Sequence, residues 1–397
     1  LKEFNIELPS YNPQRLEVYA NRVAPTTGTA FGNLTFAQDY IISADPSFNL
    51  VIPSTPLYGS DLRFTNGQYE YDGAYFSDAG VVEIYMIDRH TYRSVQSNTL
   101  QFGPFIPAYF DVQTVYSPAF TDASSGAFTY VGQPFFFDLG VEPQIEVTAF
   151  NALNQIVPNY DGTQWQLNPT GTQVQSQVSY IDQSSSGLNL MLATTPADPT
   201  VSGISNHDGK GTITLNNIAL QYVKPALPVN AFDSDVDVVL DADFLTDTNG
   251  TCYQVNYPNG CSAFTFSNVT GTEQRYGRLY LDNAFGPEDQ SLYIPMYAQY
   301  FIGNNWTKNI DDNSTNISMA QSLGQITLTS LAGSENDITA SYTAIQSTGF
   351  LASGQSDPND LRFPAANIRG GLQVTLSALV GSPAWAEHLN YDWNGDG

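Results

Sequence analysis

The feature that most constrains the fold of this chain is a two-residue alternation of apolar and polar side chains, interrupted at short intervals by Gly, Pro, Asn and Asp. It is clearest in three segments: GVVEIYMIDRHTY (80–92), QIEVTAFNALNQIVPNYDG (144–162) and GTITLNNIALQYV (211–223). Because successive side chains of a strand point to opposite faces, this period predicts β-strands with one buried face. Many short strands at this spacing predict an all-β protein made of tandem immunoglobulin-like β-sandwich domains.

Two proline-bearing connectors interrupt the alternation. The chain has 397 residues, which exceeds the length of one ordinary domain. The connectors are FGPFIPAYF at 102–110 and KPALPVNAF at 224–232. We therefore predict three domains in an elongated arrangement, at 1–104, 105–226 and 227–397.

The charge balance limits the partners of the chain. Thirteen Lys and Arg against 39 Asp and Glu leave a net charge of −26. Nucleic acids and anionic membrane surfaces would be repelled by such a protein, whereas cations would be attracted. Abundant Tyr and Phe with only 13% charged residues are typical of extracellular β-rich proteins. No apolar run reaches the roughly 18 residues that span a bilayer, so we expect no membrane insertion, and we expect the chain to derive from a longer secreted precursor.

The two cysteines, Cys252 and Cys261, bracket eight residues, YQVNYPNG, with a Pro-Asn-Gly turn near their end. A hairpin with that turn would bring the two Cα atoms within disulfide range. We predict a disulfide that closes this hairpin, with two free thiols as the alternative.

Two acidic segments have the residue pattern of calcium ligands. The C-terminal YDWNGDG places Asp392, Asn394 and Asp396 at alternate positions before a glycine, as in the first half of a calcium loop. The second segment is FDSDVDVVLDADF, which contributes five further candidate metal ligands: Asp233, Asp235, Asp237, Asp241 and Asp243. The alternatives are an acidic turn that binds nothing and a solvated strand face. Calcium is the one cofactor that the sequence predicts.

Aromatic clusters are the remaining indication of a binding function. Residues of GQYEYDGAYF and YAQYFIGNNW would present ring faces to a sugar or a protein partner, and the candidate ligand-binding residues are Tyr71, Tyr75, Tyr297, Tyr300 and Trp306. The alternative for each residue is that its ring points into a sandwich core.

Catalytic patterns are weak in this sequence. His207 is followed by Asp208 in SNHDGKG, but adjacency in sequence is not the geometry of a hydrolase triad. The sequence contains no GxSxG, P-loop or HExxH motif. We therefore expect no enzymatic activity, although carboxylate pairs for glycoside hydrolysis stay open because Asp and Glu are plentiful.

A series of motifs in order resembles the C-terminal region of MshQ-type proteins. These motifs are GPFIPAYFDV, FTYVGQPF, VTAFNALNQIVPNYDG, TGTEQRYGRLYLDNAFGPEDQSLYIPMYAQYF, DDNST and LNYDWNGDG, which extend from about residue 102 to the C-terminus. MshQ-type proteins are large surface proteins of Gram-negative bacteria, encoded with the mannose-sensitive haemagglutinin pilus, a type IV pilus. In DDNST this chain has Asn313 where relatives usually carry Cys, so a disulfide that relatives form there is missing. Relatives also usually continue past the terminal motif, so the resemblance implies that the last domain, 227–397, is incomplete at its C-terminus or is completed by another chain.

The resemblance implies an extracellular, pilus-associated protein that acts in attachment, with pilus components, other copies of itself and surface glycans as partners. A structural alternative is a stalk or filament subunit to which a neighbouring chain adds a strand. An enzyme such as a glycoside hydrolase is the third hypothesis.

Overall fold

The computed structural model describes residues 93–376 and 388–389 of the chain. Of the first 92 residues it describes 2–3, 6–7, 15–27, 32–37, 40–43, 57–58, 68 and 75–89. Strands predominate in these residues, which confirms an all-β protein; the described helix consists of one short α-helix and three 3₁₀-helices, Gly162–Gln164, Gln321–Leu323 and Thr339–Ser341. None of the described helices is both long and apolar enough to cross a membrane.

The described strands before residue 106 enclose a small apolar core. They are β1 Lys2–Glu3, β2 Ile6–Glu7, β3 Arg15–Ala24, β4 Asn33–Ala37, β5 Tyr40–Ser43, β6 Leu57–Tyr58, β7 Tyr75–Phe76, β8 Gly80–Arg89, β9 Ser94–Gln96 and β10 Leu100–Phe105. β10, β8, β3 and β6 form one sheet in that order, with β9 also on β8, and β5, β4 and β7 form another. Val82 and Ile84 of β8 alternate into the core, where they pack with Leu34 and Phe76. The predicted alternation of this strand is therefore realised.

A larger core lies between the next two sheets. The strands are β11 Tyr109–Thr114, β12 Phe120–Thr121, β13 Thr129–Tyr130, β14 Phe135–Phe137, β15 Gln144–Phe150, β16 Val178–Asp182, β17 Leu190–Leu192, β18 Thr200–Ser202, β19 Lys210–Thr214, β20 Ala219–Tyr222, β21 Phe232–Asp233, β22 Val236–Leu240 and β23 Phe264–Val269. β11-β15-β19-β18 and β12-β14-β20-β17 are four-stranded antiparallel sheets. Val147 of the first and Phe135 of the second are fully buried in one core.

The sheet β16-β22-β23 adds Val238 and Phe266 to the same core. This core also includes Ala79, so it contains residues from both sides of the boundaries expected at 104/105 and 226/227. The three-domain division stays a prediction, and the described packing does not divide at residue 226.

One α-helix, α1, precedes β16 at Gly171–Gln177. Thr170 caps it, because its side chain accepts a hydrogen bond from the Gln173 backbone N–H while the Gln173 side chain accepts one from the Thr170 N–H. The sequence of this polar segment shows no helical repeat of apolar residues, because only two helical residues, Gly171 and Val174, are buried.

The predicted disulfide between Cys252 and Cys261 is confirmed, with Cα atoms 5.5 Å apart. The loop between them turns at residues 256–259 and has no paired strands, so it is not the expected hairpin. The loop covers the edge of β11, because the Phe110 N–H donates to the Cys252 carbonyl and Phe110 accepts from the Gln254 N–H.

Most of the remaining strands surround a separate core. They are β24 Glu273–Arg275, β25 Gly277–Leu281, β26 Leu292–Tyr293, β27 Met296–Ile302, β28 Asn305–Lys308, β29 Met319–Ala320, β30 Ile326–Ser330, β31 Gln346–Ser347, β32 Arg362–Phe363 and β33 Leu372–Leu376. β24 pairs with β13 and β21, whereas β25 begins the sheet β25-β27-β28. The extended segment 273–281 therefore passes from the sheets around the larger core to the sheet over the second core.

Candidate binding face

The sheet β25-β27-β28 has one apolar face and one mixed face. Leu279, Leu281, Met296 and Ala298 belong to the second core or pack against it. The opposite face carries seven side chains, which we call the aromatic-cation face: Arg278, Tyr280, Tyr297, Gln299, Phe301, Trp306 and Lys308. They share a face because each strand contributes alternate residues and the register pairs those residues across the strands.

The strand register arranges these side chains in three rows. Arg278, Gln299 and Lys308 are direct cross-strand partners and form the middle row. Tyr280 opposite Tyr297 forms one flanking row, and Phe301 opposite Trp306 forms the other. Because alternate residues of a strand are about 7 Å apart, each aromatic row lies that far from the polar row.

Contacts within the face fix the positions of its cations. The Arg278 guanidinium lies 3.9 Å from the Trp306 ring centroid, and its Nε donates to Gln299 Oε1 at 2.8 Å. The Lys308 Nζ lies 5.4 Å from the Tyr297 ring centroid and donates to Gln355 Oε1 at 2.8 Å. Arg278 is buried, at 7% exposure, whereas Tyr297 and Lys308 are half-buried. Lys308 is therefore the more accessible of the two cations.

The charge of the face is opposite to that of the chain. None of its seven side chains is acidic and two are basic, although acids outnumber bases three to one in the whole sequence, at 39 to 13. Asp282 borders the face beside Tyr297; burial, with a smaller contribution from the Asp282 charge, raises the pKa of Tyr297. Tyr297 is thus a neutral phenol at physiological pH, and the face carries a local positive charge.

Tyr300, the other aromatic candidate in β27, lies on the opposite side of the sheet. Its ring centroid is 4.6 Å from Arg275 Cζ, and the Phe128 ring is 4.6 Å from the same atom. Arg275 also donates from Nη1 to Asn309 Oδ1 at 2.6 Å and to Asp311 Oδ2 at 2.7 Å. Tyr300 therefore belongs to a junction between the two cores, and the structure does not bring it together with Tyr297 and Trp306.

A buried polar network continues this junction. The Tyr130 hydroxyl donates to Asp312 Oδ2 at 2.8 Å and accepts from Asn309 Nδ2 at 2.7 Å, and all three residues are fully buried. Burial and the nearby Asp312 charge raise the pKa of Tyr130 well above its ordinary value. Lys224 donates from Nζ to the carbonyls of Gly277 and His388, and burial lowers its pKa to about 7. These bonds connect β13 and β20 with the segments around β25 and β28.

The other two aromatic candidates lie elsewhere. Tyr75 is 41% exposed in β7, in the sheet β5-β4-β7. Tyr71 lies outside the residues that the structure describes. No contact described here joins Tyr75 to the aromatic-cation face.

The calcium candidates of the second acidic segment differ in their surroundings. Asp237 accepts from the Gln183 side chain and the Asn268 N–H, and Asp241 accepts from the Phe244 N–H. Asp233 and Asp243 are exposed, and Asp235 Oδ1 is buried without a hydrogen-bond partner in the described residues. The described residues contain no cluster of three or more His, Cys, Asp or Glu arranged to hold a metal ion.

The terminal candidates Asp392, Asn394 and Asp396 lie outside the described residues. Calcium binding at either segment stays a prediction.

The histidine that raised the enzymatic alternative lies beside a buried carboxylate that is not its sequence neighbour. His207 Nδ1 is 3.5 Å from Asp161 Oδ2 and has no hydrogen-bond partner in the described part of the chain. The His207 backbone N–H also donates to Asp161. This contact anchors the loop around His207 and does not test the prediction that the protein is not an enzyme.

Sequence reasoning missed four members of the aromatic-cation face, namely Arg278, Tyr280, Gln299 and Lys308, whereas Phe301 lies in the aromatic segment YAQYFIGNNW that it singled out. The available signal was parity, because residues 297, 299 and 301 must share one face of a strand, as must 278 and 280. The pairing of these strands depends on tertiary structure, which the sequence pattern does not show.

Comparison with known families identifies both halves of this architecture. The family model described as DUF6701, third domain, matches residues 74–268, and the model described as DUF6701, fourth domain, matches residues 275–397. No curated protein matches the chain. The two matches meet in the segment between β23 and β25 and together extend over most of the sequence, so the chain belongs to the DUF6701 family, of which it carries the third and fourth domains.

Proposed function

We propose that this chain is part of a non-enzymatic extracellular surface protein that is associated with a type IV pilus and acts in attachment. The Cys252–Cys261 disulfide supports an oxidising extracellular location. The ordered motifs that resemble MshQ-type proteins support the link to the pilus. We further propose that the domains are immunoglobulin-like β-sandwiches, because two four-stranded antiparallel sheets enclose one core.

The observation that carries the proposal is the aromatic-cation face. Tyr297, Phe301 and Trp306 cluster on the side of the sheet away from its apolar core, with amide and ammonium groups between the aromatic rows. Aromatic rings supply apolar contact area with little loss of conformational freedom, and the polar groups between them orient a ligand. Such a face suits recognition of a surface better than catalysis.

The test is attachment of the purified chain to a glycan array and to immobilised cell surfaces, with and without calcium. We expect Tyr297→Ala to reduce retained protein at least tenfold. Phe285→Ala is the matched control, because this ring is 94% exposed in the same part of the chain and lies outside the face. Tyr75→Ala tests the aromatic cluster of the first region. Equal retention of Tyr297→Ala and the control would contradict a role of this face in attachment.

The second candidate is a structural stalk or a filament subunit that assembles by strand addition. The junction favours the stalk, because Arg275 between two rings and the buried Tyr130–Asp312 bond hold the two cores together. Size-exclusion chromatography with light scattering separates the candidates: an attachment arm elutes as a monomer, whereas a filament subunit forms polymers.

A further inference from the structure

The middle row of the aromatic-cation face carries two basic side chains, which is unusual in a chain with three times as many acidic as basic residues. Lys308 and Arg278 are two of only thirteen basic residues, and both flank Gln299 on adjacent strands. In a chain of net charge −26, an anionic ligand is repelled over most of the surface and is attracted only where cations are concentrated. The face is such a place, because none of its seven members carries a carboxylate.

We propose that the aromatic-cation face binds an acidic polysaccharide, with the sugar carboxylates held at the polar row and the C–H faces of the sugar rings against the aromatic rows. The proposal rests on the proposed attachment function and names its ligand class. The Lys308 ammonium has three N–H donors, and the described contacts account for one of them, to Gln355. Gln299 Oε1 accepts from Arg278, so its amide N–H groups point away from that bond and suit a hydroxyl or carboxylate oxygen.

The rows place a cation beside an aromatic ring. Each aromatic row lies about 7 Å from the polar row. The Lys308 Nζ lies 5.4 Å from the Tyr297 ring centroid, so a sugar ring stacked on Tyr297 would have its carboxylate close to the ammonium. Asp282 lies at the Tyr280–Tyr297 edge and disfavours a carboxylate there. The acid group therefore belongs at Lys308, between the two aromatic rows.

Arg278 acts through its neighbours. It is buried beneath Trp306, 3.9 Å from the ring centroid, and hydrogen-bonds Gln299. It is a positioning residue that orients both side chains and adds positive potential beneath the ligand. Lys308 and Tyr297 are the residues that we expect to touch the ligand.

The test is titration calorimetry of the whole chain with a matched pair of ligands: hexa-galacturonic acid and the same hexasaccharide with its carboxyls methyl-esterified. We expect the acid to bind about tenfold more tightly than the ester. Lys308→Gln should remove most of that difference and leave ester binding intact, whereas Tyr297→Ala should weaken both ligands. Lys210→Gln is the control, because this lysine pairs with Glu146 on a different sheet, with 38% side-chain exposure.

Each other outcome overturns the proposal in a distinguishable way. Equal binding of acid and ester, both lost in Tyr297→Ala, would refute the acidic ligand and leave the attachment function standing. Equal effects of Lys308→Gln and Lys210→Gln would show unspecific attraction. A hexaglutamate peptide that binds as tightly as the acidic sugar would reassign the face to acidic peptides. If no hexasaccharide binds while retention on cell surfaces still depends on Tyr297, the proposed ligand class is wrong and the attachment function stands. If neither hexasaccharide binding nor retention depends on Tyr297, both the ligand class and the attachment role of this face are wrong.

Discussion

Replacement of Arg275 by alanine is the sharpest test of how the two cores are joined. The guanidinium lies 4.6 Å from the ring centroids of both Phe128 and Tyr300, and the residue is 8% exposed. A cation–aromatic contact of this kind contributes about 1 kcal/mol or somewhat more when desolvated. Loss of Arg275 also deprives Asn309 Oδ1, which is fully buried, of its donor, and this costs about 1–3 kcal/mol.

The ion pairs of Arg275 add little to this loss. The side chains of Glu273 and Asp311 are 33% and 46% exposed, so water screens both pairs and each contributes about 0–1 kcal/mol. We expect Arg275→Ala to lower the free energy of unfolding by about 3–5 kcal/mol. Arg275→Lys keeps the charge but loses the planar fork that reaches both Asn309 and Asp311, so we expect about half of that loss.

Urea denaturation and differential scanning calorimetry provide the measurements. Because Phe128 packs on one side of the junction and Tyr300 on the other, Arg275→Ala should also split a shared unfolding transition into two. Arg369→Ala is the control: its side chain is 76% exposed and lies 3.7 Å from Glu288, so its effect should stay below about 0.5 kcal/mol. A loss of less than 1 kcal/mol in Arg275→Ala, with unfolding still in one step, would refute the junction as described.

Four further predictions follow from the structure and sequence. Non-reducing mass spectrometry should find no free thiol at Cys252 or Cys261, and opening their loop should cost on the order of 2–3 kcal/mol; two alkylatable cysteines in native protein would contradict this. Gln274 is fully buried, and neither polar atom of its amide has a hydrogen-bond partner in the described residues. Gln274→Leu should therefore raise the free energy of unfolding by about 1–3 kcal/mol in urea titration. A marked loss of stability would mean that the amide has hydrogen-bond partners in solution. Burial, and secondarily the Lys224 charge, lower the pKa of His388 to about 3. Between about pH 6.5 and 3 the unfolded chain therefore binds a proton that the folded chain does not, so stability falls as pH falls through that window. His388→Phe should remove this pH-dependent contribution, and parallel pH–stability curves for the variant and the original chain would contradict it. The acidic segment 233–243 or the terminal motif is predicted to bind calcium with roughly 0.1–1 mM affinity, so calcium at fixed ionic strength should raise the melting temperature. An identical melting curve with chelator in matched sodium chloride would identify these carboxylates as solvated surface.

The alternation in the sequence predicted strands such as β8, β15 and β19, in which buried residues alternate with more accessible ones, and the cysteine spacing predicted the disulfide. Parity also separates Tyr297 from Tyr300, which are three residues apart in one strand and must point to opposite faces. The sequence could not place Arg278 and Lys308 beside Gln299, since their register is fixed by the turn at 303–304 and by the long connection 282–295. Helix α1 was missed because a capping box and two buried residues support it without an apolar period.

The segment 273–281 joins the two candidate functions. Arg275 and Gly277 lie in the junction, and Arg278 and Tyr280 lie on the aromatic-cation face, all within one extended stretch of chain. A Cβ at Gly277 would lie 2.4 Å from a Tyr130 ring atom, so β25 packs directly on the junction with no room for a larger residue.

Under the proposed attachment function, tension on the face would act on β25 and would reach β24 through a single intervening residue, Tyr276. β24 is hydrogen-bonded to β13 in the sheet of the preceding domain, beside the ring contacts of Arg275. The junction and the proposed binding face thus share one stretch of backbone. Under the proposed attachment function, the junction would hold the face in a fixed orientation on the preceding sheet, because Arg275 packs between Phe128 and Tyr300 and Gly277 packs against Tyr130.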